Sequence, residues 1–293
     1  MPKSKSRRKD KKQGKTATIT ILAVVATVIV VGAYVLSLSG GGTVGETSSV
    51  PSAVLNQLSQ VANSRYGAPS TQDIQPFSGT SLSDGGKTVV LFVSGDFCPY
   101  CAAERWALVI ALMRFGSFSS LSYTYSSSNI ELPNTPSFSF ANYSYSSRYI
   151  SLQAYEYEDR NGKPLMSVPD NYTALWKGPP SFGTVPFLDI GNIYVVKGAQ
   201  FNASLLAGMS QQQVIQSIVS DDALSKTIMA AADGITSALC NVTQGNPGNV
   251  CAQVQPSASG SLITGSPRSM AEAWATVQYT QTEWIRKISA PTR

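Results

Sequence analysis

The chain has 293 residues, 43% of them hydrophobic and 13% charged, which is enough to build a substantial core in one large domain or two small ones. Its net charge of +5 does not describe the whole chain, because residues 1–15 hold eight of the 22 basic side chains and only one acidic side chain. The remainder carries 14 basic and 16 acidic groups, a net of −2, so no basic surface is left and no nucleic-acid partner is expected. The absence of histidine excludes Ser-His-Asp and Cys-His catalysis and histidine-bound metals.

An uncharged apolar segment, residues 16–38, follows the basic block. About 20 apolar residues span a bilayer as a helix, so this segment predicts a transmembrane anchor. The basic tail, residues 1–15, is expected in the cytoplasm, which places the rest of a single-pass cell-membrane protein outside. A cleaved signal peptide is the alternative, since Ser37 and Ser39 are small residues at plausible cleavage positions, although a signal core usually has about 7–15 residues.

The remaining composition divides the chain into three further parts. Residues 39–50 are rich in glycine, serine and threonine and predict a flexible linker. Residues 51–255 predict one α/β domain, and residues 256–293 predict a spacer with a C-terminal helix. Four N-x-S/T sequons follow the anchor and are candidate glycosylation sites of an external domain: Asn142, Asn171, Asn202 and Asn241.

Within the domain, the first predicted elements lead to a pair of cysteines. Helical spacing of apolar residues predicts a helix over 51–66, ending at Gly67. The β-branched and aromatic run over 87–94 predicts a buried strand. The cysteines follow it, and then a helix with one apolar face (Trp106, Val109, Ile110 and Met113) that ends at Gly116.

The second half of the domain is less regular. Residues 117–148, rich in serine and tyrosine, predict an insertion of short edge strands and loops, followed by a strand over 149–158. Two short strands on either side of Gly191-Asn192 predict a hairpin, and helices fill the chain to residue 239. Two interpretations are open for the aromatic residues Tyr172 and Trp176 and for the tyrosine-rich insertion. They form an aromatic surface that binds substrates, or they are ordinary sheet residues.

The motif Cys98-Pro99-Tyr100-Cys101 lies where the buried strand passes into the helix. A helix N-terminus carries partial positive charge and unpaired N–H donors, which favour a thiolate at the first cysteine. Proline suits the first helical turn, where its missing N–H costs little. Cys101 lies about one turn further on, so it is placed to attack a mixed disulfide formed at Cys98.

The order of strand, C-x-x-C, helix, strand, T-V-P hairpin and final helix resembles the thioredoxin superfamily. The resemblance covers residues 87–101 and 182–220 and implies a thioredoxin-like fold with an insertion. It also implies a cis-proline at Pro186 beside the first cysteine, with Val185 before it offering its backbone to a substrate. Pro99, Tyr100, Val185 and Pro186 would then form the substrate groove.

The chain departs from that superfamily in the strand before the motif, which lacks the buried acid of thioredoxin. Glu104, on the first helical turn, is a candidate for proton transfer or an ordinary solvated helix residue. The whole arrangement also resembles an uncharacterised archaeal family of membrane-bound C-x-x-C proteins, which implies no particular activity.

Other interpretations of the four cysteines stay open. Cys98, Cys101, Cys240 and Cys251 are sufficient in number for a zinc site, although the second pair lacks the usual close spacing and no metal is expected. Cys98–Cys101 is alternatively a purely structural disulfide. Cys240 and Cys251, separated by ten residues, form either a structural bridge or a second redox pair.

The sequence therefore predicts an extracytoplasmic thiol-disulfide oxidoreductase with no cofactor beyond a redox-active Cys98–Cys101 disulfide. Its expected partners are thiols or disulfides of exported proteins, which it would oxidise or isomerise, and a membrane redox partner if it acts as a reductase. The alternative is a non-catalytic surface glycoprotein or binding module on the same scaffold.

Overall fold

The computed structural model describes residues 47–70 and 73–254, and the predicted α/β class is confirmed. The strands are β1 Ser48–Ser49, β2 Ile74–Pro76, β3 Ser83–Asp84, β4 Lys87–Ser94, β5 Gly116–Tyr125, β6 Pro136–Ser147, β7 Ile150–Glu156, β8 Phe187–Ile190 and β9 Tyr194–Lys197. The helices are α1 Ser52–Ser64, α2 Pro99–Phe115, α3 Asp170–Lys177, α4 Gln211–Ser220, α5 Ala223–Val242 and α6 Gly248–Cys251. A 3-10 turn, Ala203–Leu206, precedes α4.

The larger sheet is built around β4. This strand pairs in parallel with β7 along one edge and antiparallel with β8 along the other. Strands β9 and β2 extend the sheet beyond β8, while β3 pairs with the first residues of β4. A strand that is buried on both faces has a continuous run of apolar residues in its sequence. Here the exposed fraction is at most 1% for each of five consecutive residues, Val89, Val90, Leu91, Phe92 and Val93. The predicted buried strand is confirmed.

Helix α2 starts beside the end of β4 and runs through the middle of the fold. Every residue from Cys101 to Phe115 is buried, because α1, α5 and strands β5 and β6 surround the helix. The expectation of a single apolar face is therefore wrong. A helix that is apolar nearly all round is a core helix, and the two arginines inside it, Arg105 and Arg114, are both buried and ion-paired.

The insertion between α2 and β7 is more regular than expected. Instead of short edge strands, β5 has 10 residues and β6 has 12, and they form a separate antiparallel sheet with β1. Aromatic residues at alternate positions of β6, including Phe138 and Phe140, enter the core while serines separate them. This period of two was the missed signal for a long strand.

The chain joins the fold earlier than the predicted linker boundary. Ser48 and Ser49 pair with β5, and Val50 is 6% exposed, so residues 47–50 belong to the domain and not to a linker over 39–50. The predicted basic tail, the anchor over 16–38 and the C-terminal spacer and helix over 256–293 lie outside the described residues. Across 47–70 and 73–254, no helix has both the length and the apolar character required to cross a bilayer.

The hairpin predicted at Gly191-Asn192 is confirmed. Strands β8 and β9 are antiparallel and joined by residues 191–193, with Gly191 and Asn192 both at positive φ, where glycine and asparagine are tolerated best. The interpretation of Tyr172 and Trp176 as sheet residues is wrong, because both lie on α3. Trp176 is buried in a second apolar cluster on the β4 face with Leu91.

Cys240 and Cys251 form a disulfide that joins the last turn of α5 to the end of α6. Their pairing takes these two sulfurs out of the four-cysteine zinc site considered from the sequence. Between 47 and 254, apart from residues 71 and 72, no group of three or more His, Cys, Asp or Glu side chains is arranged to hold a metal ion.

Replacing both Cys240 and Cys251 with serine should lower the free energy of unfolding by about 3 kcal/mol, because a bridge across a short loop restricts the unfolded chain. Denaturant unfolding of the oxidised parent, the reduced parent and the variant measures this. The reduced parent should have the same free energy of unfolding as the variant. In the variant, Cys98 and Cys101 should still form a disulfide on oxidation. Loss of Cys98–Cys101 oxidation with no loss of stability would instead assign the bridge to electron relay.

Candidate active site

Cys98 is the N-cap residue of α2. Its backbone is extended, Pro99 follows in the first turn, and its Sγ accepts a hydrogen bond from the Cys101 backbone N–H at 3.1 Å. The sulfur thus takes the place that an oxygen of Ser, Thr or Asp usually takes at a helix N-terminus. The helix dipole and an otherwise unpaired N–H donor both favour negative charge on this sulfur.

The two cysteines differ in how easily they ionise. A hydrogen bond from the Cys101 side chain is the main cause that lowers the pKa of Cys98; burial opposes it, and backbone N–H groups and the charge of Arg105 add to it. Burial raises the pKa of Cys101 well above its ordinary value, and the neighbouring Cys98 raises it further. Both cysteines are free thiols, and Cys98 is the one that ionises more easily.

Cys98 is almost closed to solvent. Its exposed fraction is 5% and that of Cys101 is 0%. Tyr100, between them in the motif, is 44% exposed, while Pro99 is buried. The exposed part of the motif is therefore the Tyr100 side chain, with only a small fraction of Cys98 reaching solvent.

The peptide bond between Val185 and Pro186 is cis. Strand β8 begins at the next residue, Phe187, which pairs with Val93 on β4. Continuing this antiparallel register by one residue sets Pro186 across from Ser94, at the end of β4 that leads into the cysteine motif. Pro186 is buried and Val185 half-buried, so the bend borders the same end of the sheet as Cys98.

Aromatic side chains line the region between the motif and α3. Phe97, next to Cys98, meets the edge of Tyr157 with ring centres 5.8 Å apart, and Tyr157 lies 5.2 Å from Trp176. Burial raises the pKa of Tyr157 to about 12, and the charge of Glu158, followed by those of the two cysteines, adds to the shift. Phe182, in the segment that leads to Pro186, is 60% exposed.

A buried ion cluster behind the motif was not predicted from the sequence. The Arg105 guanidinium donates to both carboxylate oxygens of Glu156, from Nε at 2.9 Å and from Nη2 at 2.5 Å. Its Nη2 also lies 3.5 Å from Asp96 Oδ1. Arg105 and Glu156 are 0% exposed and Asp96 is 4% exposed. Burial opposes the charge on Arg105, but the two carboxylates outweigh it and raise its pKa.

Asp96 is the carboxyl of this cluster that titrates near neutrality. Burial, assisted by the charge of Glu156, raises its pKa to about 7 against the opposing charge of Arg105. One oxygen accepts a hydrogen bond from Ser139 on β6 at 3.0 Å, and the other has no hydrogen-bond partner among the described residues. Asp96 lies two residues before Cys98, so the acid absent from the strand itself occurs just after the strand.

Glu104 occupies a different environment from the solvated one considered above. It is 0% exposed, and its Oε2 accepts a hydrogen bond from the Gln200 backbone N–H at 2.9 Å. Burial raises its pKa to about 8, so it is mostly protonated at neutral pH. The hydrogen bond from Gln200 joins Glu104 to the segment before the 3-10 turn and not to a cysteine.

Two features of the sequence signalled the cluster. An arginine within an otherwise apolar helix needs a buried partner, and Arg105 lies four residues after Cys101, on the same face of α2. Glu156 closes a strand that alternates apolar and polar residues. Only the parallel pairing of Ser94 with Glu156 brings these residues together, and that pairing is not evident from the sequence.

The four candidate glycosylation asparagines, Asn142, Asn171, Asn202 and Asn241, are all exposed. The side chain of Asn202 caps the 3-10 turn through its oxygen, and the oxygen of Asn241 accepts a hydrogen bond from the Tyr194 hydroxyl at 3.0 Å. Both contacts use the side-chain oxygen and leave the amide nitrogen, where a glycan attaches, uncommitted to these bonds.

Comparison with known proteins gives one match. A family model described as a domain of unknown function (DUF929) matches residues 74–177, from β2 through α3. The matched stretch contains Cys98, Cys101 and the Arg105 cluster and ends before Pro186. No curated protein and no solved structure matches the chain. The family description attaches no activity to the motif.

In the folded, reduced protein, Cys98 should react with a small alkylating reagent at least tenfold faster than Cys101 near neutral pH, because only Cys98 has a lowered pKa. Mass spectrometry of peptides from a timed reaction measures the ratio. The rate at Cys98 should also plateau at a lower pH than that of a free cysteine. Equal protection of both thiols would contradict the site.

Proposed function

We propose that the protein is a thioredoxin-like thiol-disulfide oxidoreductase that acts on exported proteins through Cys98 and Cys101. The observation that carries the proposal is the asymmetry of the pair, with a low pKa at the helix N-cap and a raised pKa one turn later. Disulfide exchange needs this asymmetry, because one sulfur attacks as the thiolate and the other is held in reserve as the thiol.

The order of the strands supports a thioredoxin-like fold. In the core of the sheet the order is β9, β8, β4, β7, with β4 and β7 parallel and joined through α2. The cysteines follow the central strand, a cis-proline precedes β8, and helices follow β9. These are the features that the resemblance to the thioredoxin superfamily implied, with β5 and β6 as the insertion.

The reaction balances with no cofactor. The Cys98 thiolate attacks a client disulfide, a bond forms between Cys98 and one client sulfur, and the other client sulfur leaves as a thiolate. Cys101 then loses its proton and attacks Cys98, which releases the client dithiol and leaves a Cys98–Cys101 disulfide. In the reverse direction, a client thiolate attacks that disulfide, Cys101 leaves, and a second client thiolate displaces Cys98. In isomerisation, Cys98 attacks a client disulfide in the same way, a different client thiolate then attacks the client sulfur bonded to Cys98, and Cys98 leaves as the thiolate, so the client has a new disulfide and the enzyme is unchanged.

Asp96 is the better candidate for the proton of Cys101. Asp96 shares Arg105 with Cys101, since the charge of Arg105 acts on both groups, and its pKa of about 7 suits proton exchange at neutral pH. Glu104, the candidate from the sequence, has one carboxyl oxygen bonded to the Gln200 backbone N–H, and Arg105 is not among the groups that shift its pKa.

The predicted anchor over 16–38 completes the proposal. It would hold the domain at the outer face of the cell membrane, where exported proteins acquire disulfides and where a membrane redox partner could renew the pair. The groove for clients would lie between the half-buried Val185 at the cis bond and the exposed ring of Tyr100.

A non-catalytic surface protein on the same scaffold is the second candidate. The observation that favours it is the 5% exposure of Cys98, which limits access to the sulfur. In that case the motif would only stabilise the helix N-terminus, and no client would form a covalent complex.

The trapping variant Cys101→Ser distinguishes the two functions. In membranes that carry the full chain it should accumulate mixed disulfides between Cys98 and exported proteins, because the resolving thiol is missing, and a reductant should release them. The double variant Cys98→Ser/Cys101→Ser is the matched control and should capture none. Absence of complexes with Cys101→Ser, while Cys98 also resists alkylation, would contradict the enzyme.

A further inference from the structure

Arg105 is a buried charge on the helix that Cys98 caps, and the exchange steps above do not use it. Its side chain follows Cys101 by one helical turn, so both start from the same face of α2, where residues four apart have Cβ atoms about 5–6 Å apart. One carbonyl joins it to the motif: Gly95 O accepts hydrogen bonds from Arg105 Nη2 at 2.9 Å and from the Cys98 backbone N–H at 3.2 Å.

The cluster fixes this charge in place. Glu156 binds Nε and Nη2 through both of its oxygens, and Ser94 Oγ donates to Glu156 and accepts from Nη2. The remaining nitrogen, Nη1, is buried and has no hydrogen-bond partner among the described residues. The guanidinium is therefore held at Nε and Nη2, while Nη1 keeps unused donors.

We propose that Arg105 is an electrostatic positioning residue that stabilises the sulfur anions of the exchange reaction, at Cys98 before attack and at Cys101 during resolution. Glu156 holds the guanidinium and limits its effect by offsetting its charge. The inference rests on the proposed function for its purpose, but its measurement is independent of any client.

Burial explains how a single charge acts on the sulfurs here. Charges interact more strongly in a protein interior than in water, and Arg105 is 0% exposed. The charge of Arg105 adds to the hydrogen bonds from Cys101 in lowering the pKa of Cys98, and at Cys101 it opposes the larger effect of burial, which keeps that pKa raised. A change in thiolate stability also changes the reduction potential of the pair, because the thiolate belongs to its reduced form.

Several titratable groups lie in the motif, in the ion cluster and in the segments next to them, and each has to be considered when the pKa of Cys98 is measured. From α2 and the loop before it, from β7 and from the segment after β7, they are Asp96, Cys101, Glu104, Arg105, Glu156, Tyr157, Glu158 and Asp159. Among these, Arg105 is the cation, so its removal has a defined sign.

The test measures the pKa of Cys98 in the full chain from the ultraviolet absorbance of the thiolate, with Cys101→Ser as the background. Arg105→Met should raise this pKa by about one unit, which is roughly tenfold less thiolate below the pKa, since an opposite charge at close range shifts a pKa by about 1–3 units. Glu156→Gln should shift it downward, because the guanidinium then lacks its counter-charge. Arg105→Lys keeps the positive charge and should retain most of the lowered pKa.

Arg114→Met is the matched control. Arg114 is also a buried arginine of α2 and forms an ion pair with Asp233 at 2.7 Å, but it lies nine residues further along, about 14 Å in a helix. It should destabilise the fold as Arg105→Met does and leave the pKa of Cys98 unchanged.

A purely structural role for Arg105 predicts a different pattern. Arg105→Met and Glu156→Gln would then shift the pKa of Cys98 in the same direction, or Arg105→Lys would shift it as far as Arg105→Met, and either result would overturn the inference. If Arg105→Met does not fold, Glu156→Gln still decides, because the inference requires it to lower the pKa of Cys98, and a raised or unchanged pKa would overturn the inference. Failure of Cys101→Ser to trap clients, with the predicted pKa pattern intact, would reject the proposed function and leave the role of Arg105 standing.

Discussion

The buried ion pair between Arg105 and Glu156 is the constraint on which the candidate site depends. Two charges removed from water are costly unless they meet each other with good geometry, and here a two-point contact joins them. The pair connects α2 to the end of β7, and Ser94 and Gly95 at the end of β4 bind the same guanidinium. The start of the helix that carries the cysteines is therefore fixed against both parallel strands.

This placement gives the two cysteines different chemistry within one helical turn. Cys98 caps the helix and receives the N–H of Cys101, while Cys101 points into the core and is fully buried. The cis bend before β8 lies at the same end of the sheet, as the register from Phe187 to Val93 requires. The N-terminus of α2, the cis bend before β8 and the Arg105 cluster thus lie at the same end of the sheet as the two cysteines.

Much of this arrangement follows from the sequence, and the parts that do not have physical reasons. The central strand, the helix after the cysteines and the hairpin at Gly191-Asn192 were predicted because each has a strong local pattern and a clear boundary. The long strands β5 and β6 were missed because serine between aromatic residues suggested loops. The ion cluster was missed because Asp96, Arg105 and Glu156 come from three separate segments, and only the pairing of β4 with β7 brings them together.

Equilibration of the full-length protein with mixtures of reduced and oxidised glutathione is the most direct test of a working cysteine pair. The account predicts that Cys98 and Cys101 interconvert reversibly between dithiol and disulfide across these mixtures, with Cys240 and Cys251 unchanged throughout. A pair that stays reduced in every mixture, or that never equilibrates while the protein is folded, would contradict it.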